Sequence, residues 1–448
     1  MTRTKKKIFL TSLGCAKNLV DSENILGLIA SANYPVVSDI NTADIVIINT
    51  CGFIQSAVEE SIDTILAAVE RKESGDLEKI FVTGCFVQRY GYKLTREIPE
   101  VDGWLGTGEI TRIIELIGSA EDNETPFFIR KPGFLADHGT PRIQTTPFYS
   151  SYLKIAEGCS HKCSYCGIPA IRGPLRSRGI DSLVSEAKDM RDRGVKEVNL
   201  IAQDTTVYGA DLNNDVTIER LLEELLLIEG IEWIRLLYSH PYEVSNALLG
   251  LMENEGRIAP YLDIPFQHVN SHILKLMGRE IKKETPGEFI ERVRSIKRSL
   301  SLRTTMMVGF PDETDEMFTE LINFIKDVEF DNLGTFIYSP EPGTAAARLK
   351  NVPDLSTAEH RRNEIMKLQA DISLKKNRDM VGRTVPVLIE GVSSETDLLL
   401  AGRTSKMAPD VDGRVLINKG NGMVGEILKV KITEAHTYDL VGESIQEI

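Results

Sequence analysis

Three cysteines within one short stretch, Cys159, Cys163 and Cys166 in EGCSHKCSYCGIP, constrain this chain more than any other feature. The spacing C-x3-C-x2-C lets one loop fold its thiolates round a single inorganic centre. Three thiolates leave one iron of a [4Fe-4S] cube without a protein ligand, unlike the four-cysteine sites of electron carriers, and an open iron can bind a substrate or cofactor. Zinc is the competing reading. Zinc sites, however, pair two C-x2-C or C/H modules, no second pair lies nearby, and His161 sits between two of the cysteines, an awkward place for a shared fourth ligand. A disulfide framework is set aside: the start, MTRTKKKIFLTSLGC, runs from a basic patch into a strand-like segment with no cleavable signal, so the expectation is a cytosolic chain with reduced thiols.

The other three cysteines, Cys15, Cys51 and Cys85, are 36 and 34 positions apart, too far for a loop motif. Their contexts repeat nonetheless. KIFLTSLGC, DIVIINTCG and KIFVTGCF are β-branched, apolar runs ending in Gly-Cys or Thr-Cys, so each thiol falls just past a strand. The amphipathic stretches LVDSENILGLIASA and SAVEESIDTILAAVERK give a β-α-β-α-β rhythm and hence a parallel sheet. Ligands bind outside the carboxyl ends of such strands, so three cysteines there can converge on a second cluster. Three buried structural cysteines are the alternative.

At 448 residues the chain is long enough for several cores in series. Residues 1–130 read as the first α/β unit. KPGFLADHGTPRIQTTP, within 131–148, reads as a linker because it is rich in Pro, Gly and Thr without apolar period. Over 149–378, strand-like runs (YLKIA, KEVNLIA, WIRLLYS, YLDIPF, RTTMMVG, LGTFIYS) alternate with helical stretches six times, which describes most of a β/α barrel. The cysteine loop follows the first of these strands and so lies at the barrel mouth, where Gln203, Asp204, His240, His268 and Gly309 also fall. Alone, His268 reads as a hydrogen-bonded rim histidine or a ligand. Arg172, Arg176 and Arg178 are read either as neutralising cofactor or substrate carboxylates or as surface pairs. Over 379–448, short strands broken by Gly and Asn describe a small β-barrel.

Charge separates the partners. The whole chain carries a formal −14, and from Val381 onward seven Lys or Arg face ten Asp or Glu, a net −3. That suits a basic protein surface and opposes a large phosphate-backbone footprint, so nucleic acid is not the primary partner. No segment reaches the roughly 18 apolar residues of a membrane span.

The cysteine loop, with Tyr165 before its last cysteine, resembles the signature of the radical S-adenosylmethionine (SAM) superfamily. Across nearly its whole length the chain resembles that superfamily's methylthiotransferase family: an N-terminal methylthiotransferase domain, a radical SAM partial (β/α)6 barrel and a C-terminal TRAM domain. The strings SLGCAKNLVDSE, NTCGFIQSAVEES, VTGCFVQRY, QDTTVYGADL, IPFQHVN and APDVDG are similar to the branch that modifies an aspartate of ribosomal protein S12. The tRNA-modifying branch differs after the first two cysteines.

The resemblance implies two [4Fe-4S] clusters, an auxiliary one on Cys15, Cys51 and Cys85 and a SAM-binding one on Cys159, Cys163 and Cys166. It further implies SAM as both methyl donor and source of a 5′-deoxyadenosyl radical, with Tyr165, Gln203, Asp204 and Gly309 as SAM contacts. An electron donor such as flavodoxin and an S12 substrate complete the set, and the acidic barrel is expected to guide the basic S12 loop in. One departure is GFPDET, with Asp312 where the family more often has glycine.

Overall fold

A computed structural model of the chain describes residues 5–119, 125–212, 215–280, 284–393 and 396–445. The first unit is a five-stranded parallel sheet in the order β1 (Ile8–Ser12), β2 (Ile45–Thr50), β3 (Lys79–Gly84), β4 (Gly103–Gly106) and β5 (Phe127–Phe128). Every residue of β2, IVIINT, is buried, because the sheet packs on both faces. One face holds Val46, Ile48 and Trp104 against the helix α2 (Gln55–Glu73); the other holds Ile8, Ile47 and Leu105 against the helix α1 (Ala16–Ser31).

Six parallel strands follow. β6 (Ser150–Lys154), β7 (Glu197–Ile201) and β8 (Trp233–Leu236) form one three-stranded sheet; β9 (Tyr261–Asp263), β10 (Ser301–Val308) and β11 (Asn332–Ile337) form another. The bridge Ile234↔Ile258 joins them. Helices packed outside these strands bury a common apolar layer that includes Leu183, Leu221, Leu248, Phe289 and Leu321. This is the expected partial barrel, one strand for each sequence run. The last unit is a closed five-stranded barrel of β12 (Thr384–Val392), β13 (Leu400–Thr404), β14 (Val415–Lys419), β15 (Ile427–Ala435) and β16 (Leu440–Ser444). No described helix is long and apolar enough to cross a membrane.

The bore of the partial barrel is filled from both neighbours. Ala16, Leu19 and Val20 of α1 pack with Tyr152, Ile201, Leu237 and Tyr261 from the strands, and Ala408 of the C-terminal unit joins the same cluster. α1 is therefore buried nearly all round. Its acidic residues pair inside the molecule, as buried charges must. Glu23, fully buried, accepts from Arg142 at 2.8 and 2.6 Å and from the Thr145 N–H at 2.6 Å. The 131–148 segment, irregular as its composition predicts, is thus strapped to α1 by its own side chains.

The acidic C-terminal barrel docks at the amino ends of the strands. Glu197, the first residue of β7, receives Arg235 of β8 at 2.8 Å and Arg403 of β13 at 2.6 Å. The loop after β13 reaches further in, with Asp412 on Arg303 at 2.6 Å and Asp410 on the Tyr152 hydroxyl at 3.2 Å. The docked face therefore lies at the opposite end of the strands from the cysteine loop.

Candidate functional site

All three early cysteines follow strand ends in the fold as they do in the sequence. Cys15 precedes α1, Cys51 directly follows β2, and Cys85 opens the helix α3 (Cys85–Tyr90) directly after β3. Gly14 sets the approach of the first two: a β-carbon there would stand 2.7 Å from the Cys51 β-carbon, and the backbone φ of +84° suits glycine. The three thiols are close enough to interact electrostatically with one another and with Arg172. Burial pushes the Cys85 thiol up to about 12 despite Arg172 beside it. Cys15 is opposite in sign: crowding raises it, but the Lys17 ammonium and the Arg172 guanidinium outweigh that and hold it below the ordinary thiol value. Cys15 alone of the three is exposed.

The second set lies on the loop after β6. Cys159 donates its N–H to Gly173 at 3.0 Å, and Cys166 donates to Cys163 at 3.2 Å. Burial raises the Cys159 thiol to about 11 and the Cys166 thiol to about 12. Arg279 supplies the local cation, with Nη1 3.9 Å from the Cys163 Sγ and Nη2 donating to the Pro265 carbonyl at 2.8 Å. Gly278 lets that arginine approach, since a β-carbon there would meet the Lys162 carbonyl at 2.5 Å. Beside it, a cavity of about 300 Å³ is lined by residues including His161, His240, Tyr242, Lys275 and Arg279.

One buried network joins the two sets. The short helix α4 (Ile168–Arg172) begins with the Ile168 N–H 3.5 Å from the Cys166 Sγ and ends with Arg172, whose Nε and Nη2 lie 3.2 and 3.1 Å from the Cys85 Sγ. The same guanidinium donates to Asp21 at 2.5 Å, to Asn18 at 3.1 Å and to Glu157 at 3.3 Å. Lys154 pairs with Asp21 and, at 2.8 Å, with Glu157. Burial would raise the Glu157 carboxyl, but Lys154 and Arg172 hold it down at about 2.

The donor set fits iron–sulfur ligation. A cluster takes thiolates, and a guanidinium aimed at a sulfur favours the anion over the thiol. Among the described residues no three His, Cys, Asp or Glu side chains close on one ion. A four-iron cube does not ask for that, because each thiolate meets its own iron. Polar atoms at the strands' carboxyl ends also await a partner: Gln203 Oε1, Ser239 Oγ, His240 Nδ1, Tyr242 OH and Tyr338 OH are buried without one among the described residues.

A family model described as the radical SAM superfamily matches residues 153–325. One described as a TRAM domain matches 381–445, and one described as the uncharacterized protein family UPF0004 matches 7–106. The chain is 47% identical to the ribosomal protein uS12 methylthiotransferase RimO of Pelobacter propionicus, over 99% of this chain and 98% of that one. It is 46% identical to the RimO of Geotalea uraniireducens, over 99% of each. The chain belongs to the RimO family. Among solved structures, a radical SAM methyltransferase, TsrM, from Kitasatospora setae, with cobalamin and a [4Fe-4S] cluster bound, superposes with a TM-score of 0.54 at 14% identity. That match covers 74% of this chain and 75% of that one, and it shows the fold.

Within this RimO-family chain the remaining mouth residues have defined neighbours. Asp204 is engaged by His161 at 2.6 Å and by the Thr206 N–H at 2.9 Å, and the His161 ring stacks on His240 at 4.4 Å. Gln203 donates to Glu157 at 3.0 Å, leaving its Oε1 free. Tyr165 packs among Ile273, Met277, Phe310 and Tyr338 and interacts with Cys163 and Arg279. The Gly309 N–H donates to Glu313, which is bound by Arg361 at 2.9 Å and stands 3.5 Å from the fully buried His268. His268 is therefore a core histidine, with its Nδ1 accepting from the Asn270 N–H at 3.0 Å. Asp312 adopts the left-handed φ of +66° that favours glycine, steadied by Asn351 at 2.7 Å.

The arginines of IPAIRGPLRSR serve the frame. Arg176 bonds the Arg172 and Pro174 carbonyls, and Arg178 bonds Glu186 at 2.6 Å. Arg172 and Arg279 are the site residues whose destinations the sequence conceals. Arg172→Met is expected to destabilise the metal-free protein by about 3 kcal/mol or more, because two buried carboxylates, Asp21 and Glu157, would be left to share the single cation Lys154. Arg176→Ala, which gives up only bonds to carbonyls, should cost about 1 kcal/mol. Denaturant midpoints of the two variants check the contrast.

Proposed function

We propose that the chain transfers a methylthio group to the β-carbon of an aspartate in ribosomal protein S12. In this reading Cys15, Cys51 and Cys85 hold one [4Fe-4S] cluster, and Cys159, Cys163 and Cys166 hold a second that binds SAM. One observation carries it: a single short helix touches Cys166 at its start and Cys85 at its end, in a chain nearly half identical to RimO proteins along its length.

The reaction needs more than acid–base chemistry, because a β C–H of aspartate is too weakly acidic for a side-chain base to remove readily near pH 7. When bound, the two clusters and SAM supply one-electron chemistry for breaking that bond, and the sulfur and methyl group that take the hydrogen's place. The chain's own residues position and seal the site. Arg172 and Lys154, locked on Asp21 and Glu157, fix the first unit against the barrel and so fix the separation of the two cysteine sets. Val20 and Ala408 close the apolar bore and keep water from the amino end. Tyr165, Gln203, Asp204 and Gly309 are the proposed surroundings of SAM: Gln203 offers its unpaired Oε1 and Tyr165 braces Cys163. Reduction calls for an outside one-electron donor of the flavodoxin kind, and a substrate made in the cytoplasm puts the enzyme there.

The test is an anaerobic assay of cluster-reconstituted protein with SAM and a reductant, offering S12 and tRNA in parallel and reading both by mass spectrometry. A methylthio mass gain on an S12 aspartate is expected. A gain on tRNA alone would overturn the substrate, and SAM cleavage with neither product would leave only the radical core.

A further inference from the structure

We propose that Lys17 is the binding group for the side-chain carboxylate of the residue being modified, an inference that rests on the S12 reading above. Lys17 lies in the first turn of α1, two positions after Cys15, and is half-buried. Its ammonium stands 3.2 Å from the centroid of the Tyr238 ring, at the carboxyl end of β8. Tyr238, Cys15 and Asp263 act on it, Tyr238 also as a hydrogen-bond partner, and no carboxylate among the described residues stands within ion-pair distance of it. Asp263 is already engaged, with its Oδ2 accepting the Tyr238 N–H at 2.9 Å. Lys154, which faces α1 from β6, is by contrast saturated by Asp21 and Glu157.

A half-buried ammonium with one face on an aromatic ring keeps N–H donors for an anionic ligand. The ring beneath it is held at a cost. Tyr238 sits at φ +61°, in the left-handed region an aromatic residue rarely adopts, and strain of this kind persists where the surroundings impose it, commonly at ligand sites. The Tyr238 backbone is held on both sides, its N–H donating to Asp263 and its carbonyl accepting from the Thr205 N–H at 3.0 Å.

Placement and chemistry agree. The β-carbon of an aspartate is bonded directly to its carboxyl carbon, so a carboxylate held by Lys17 keeps that carbon about two bond lengths from the held oxygens. Lys17 and the exposed Cys15 thiol share one helix end and interact electrostatically. The carbon to be modified is thereby kept beside the auxiliary site. A neutral base or amide offers this ammonium no matching charge, so Lys17 also selects for an acidic residue.

The experiment uses reconstituted full-length protein, wild type and the variants Lys17→Met, Lys17→Gln and Lys17→Arg. Each is offered S12 and S12 with the target aspartate changed to asparagine. Wild type is expected to favour the aspartate substrate by about tenfold or more in kcat/KM, expressed in KM. Lys17→Met and Lys17→Gln should bring the two substrates within about twofold of each other with iron content unchanged, and Lys17→Arg should restore most of the preference. An effect through Cys15 would slow both substrates equally and keep the preference, and that result in either neutral variant overturns the inference alone. Wild type that modifies neither substrate overturns the S12 reading and this inference with it.

Discussion

Cys51→Ala is expected to lower methylthio transfer below about 1% of wild type while SAM cleavage persists, whereas Cys163→Ala should abolish both. Cys51 is the informative member of its set because neighbouring side chains brace its backbone, while its sulfur meets the backbone N–H groups of Gly52 and Phe53. The Ser61 Oγ donates to the Cys51 carbonyl at 2.8 Å and accepts from the Cys51 N–H at 3.2 Å, and Arg89 donates to the next carbonyl, that of Gly52, at 2.8 Å. Alanine leaves all of these in place, so the first unit should keep its fold. Cys85→Ala is a poorer probe, since it removes the sulfur on which two Arg172 donors converge. Iron content of the Cys51 variant should fall by about half, the share of one cluster in two. Methylthio transfer that survives demonstrable loss of that cluster would sink the two-cluster scheme, and SAM cleavage that survives Cys163→Ala would sink the assignment of the second set.

What the sequence made legible was local. β-branched runs ending at Cys15, Cys51 and Cys85 mark strand ends because strand residues and the turn after them are chain neighbours. The six strand runs from YLKIA to LGTFIYS are legible for the same reason. The charged residues of LVDSENILGLIASA mislead by the same logic: an amphipathic period assigns Asp21 and Glu23 to a solvated face, yet both are buried. Their partners, Lys154, Arg172 and Arg142, lie more than a hundred positions away, where periodicity carries no information. Arg172 was visible as a cation near the cysteine loop, but its direction depends on how two domains dock. The composition of the 131–148 segment says nothing of where it lies, because its anchor, Glu23, belongs to another unit.

The largest stability effect is expected at Glu197, which lies far from either cysteine set. The carboxylate is fully buried and receives two guanidiniums: Arg235 from the same sheet, and Arg403 from the C-terminal barrel, which also bonds Glu390 at 2.7 Å. Glu197→Ala would leave Arg235 without a carboxylate partner and both cations buried, at a cost of about 3–5 kcal/mol. Part of this should be pH-dependent. Burial alone would raise the Glu197 carboxyl, but Arg403 and Arg235 hold it at about 2. A carboxyl depressed in the folded state stabilises above its unfolded value, near 4.3, and that contribution fades as the pH falls through its folded value. The gap between wild type and Glu197→Ala should therefore be widest above pH ~5 and narrow by roughly 3 kcal/mol toward pH ~2. Denaturant midpoints across that range read the gap, and limited proteolysis near residues 378–384 reads undocking of the barrel. Because Ala408 enters the bore from that barrel, undocking should also loosen the packing around Val20, next to α1. A variant as stable as wild type at neutral pH would mean that the two domains are held by their apolar contacts and that the buried triad only sets their register.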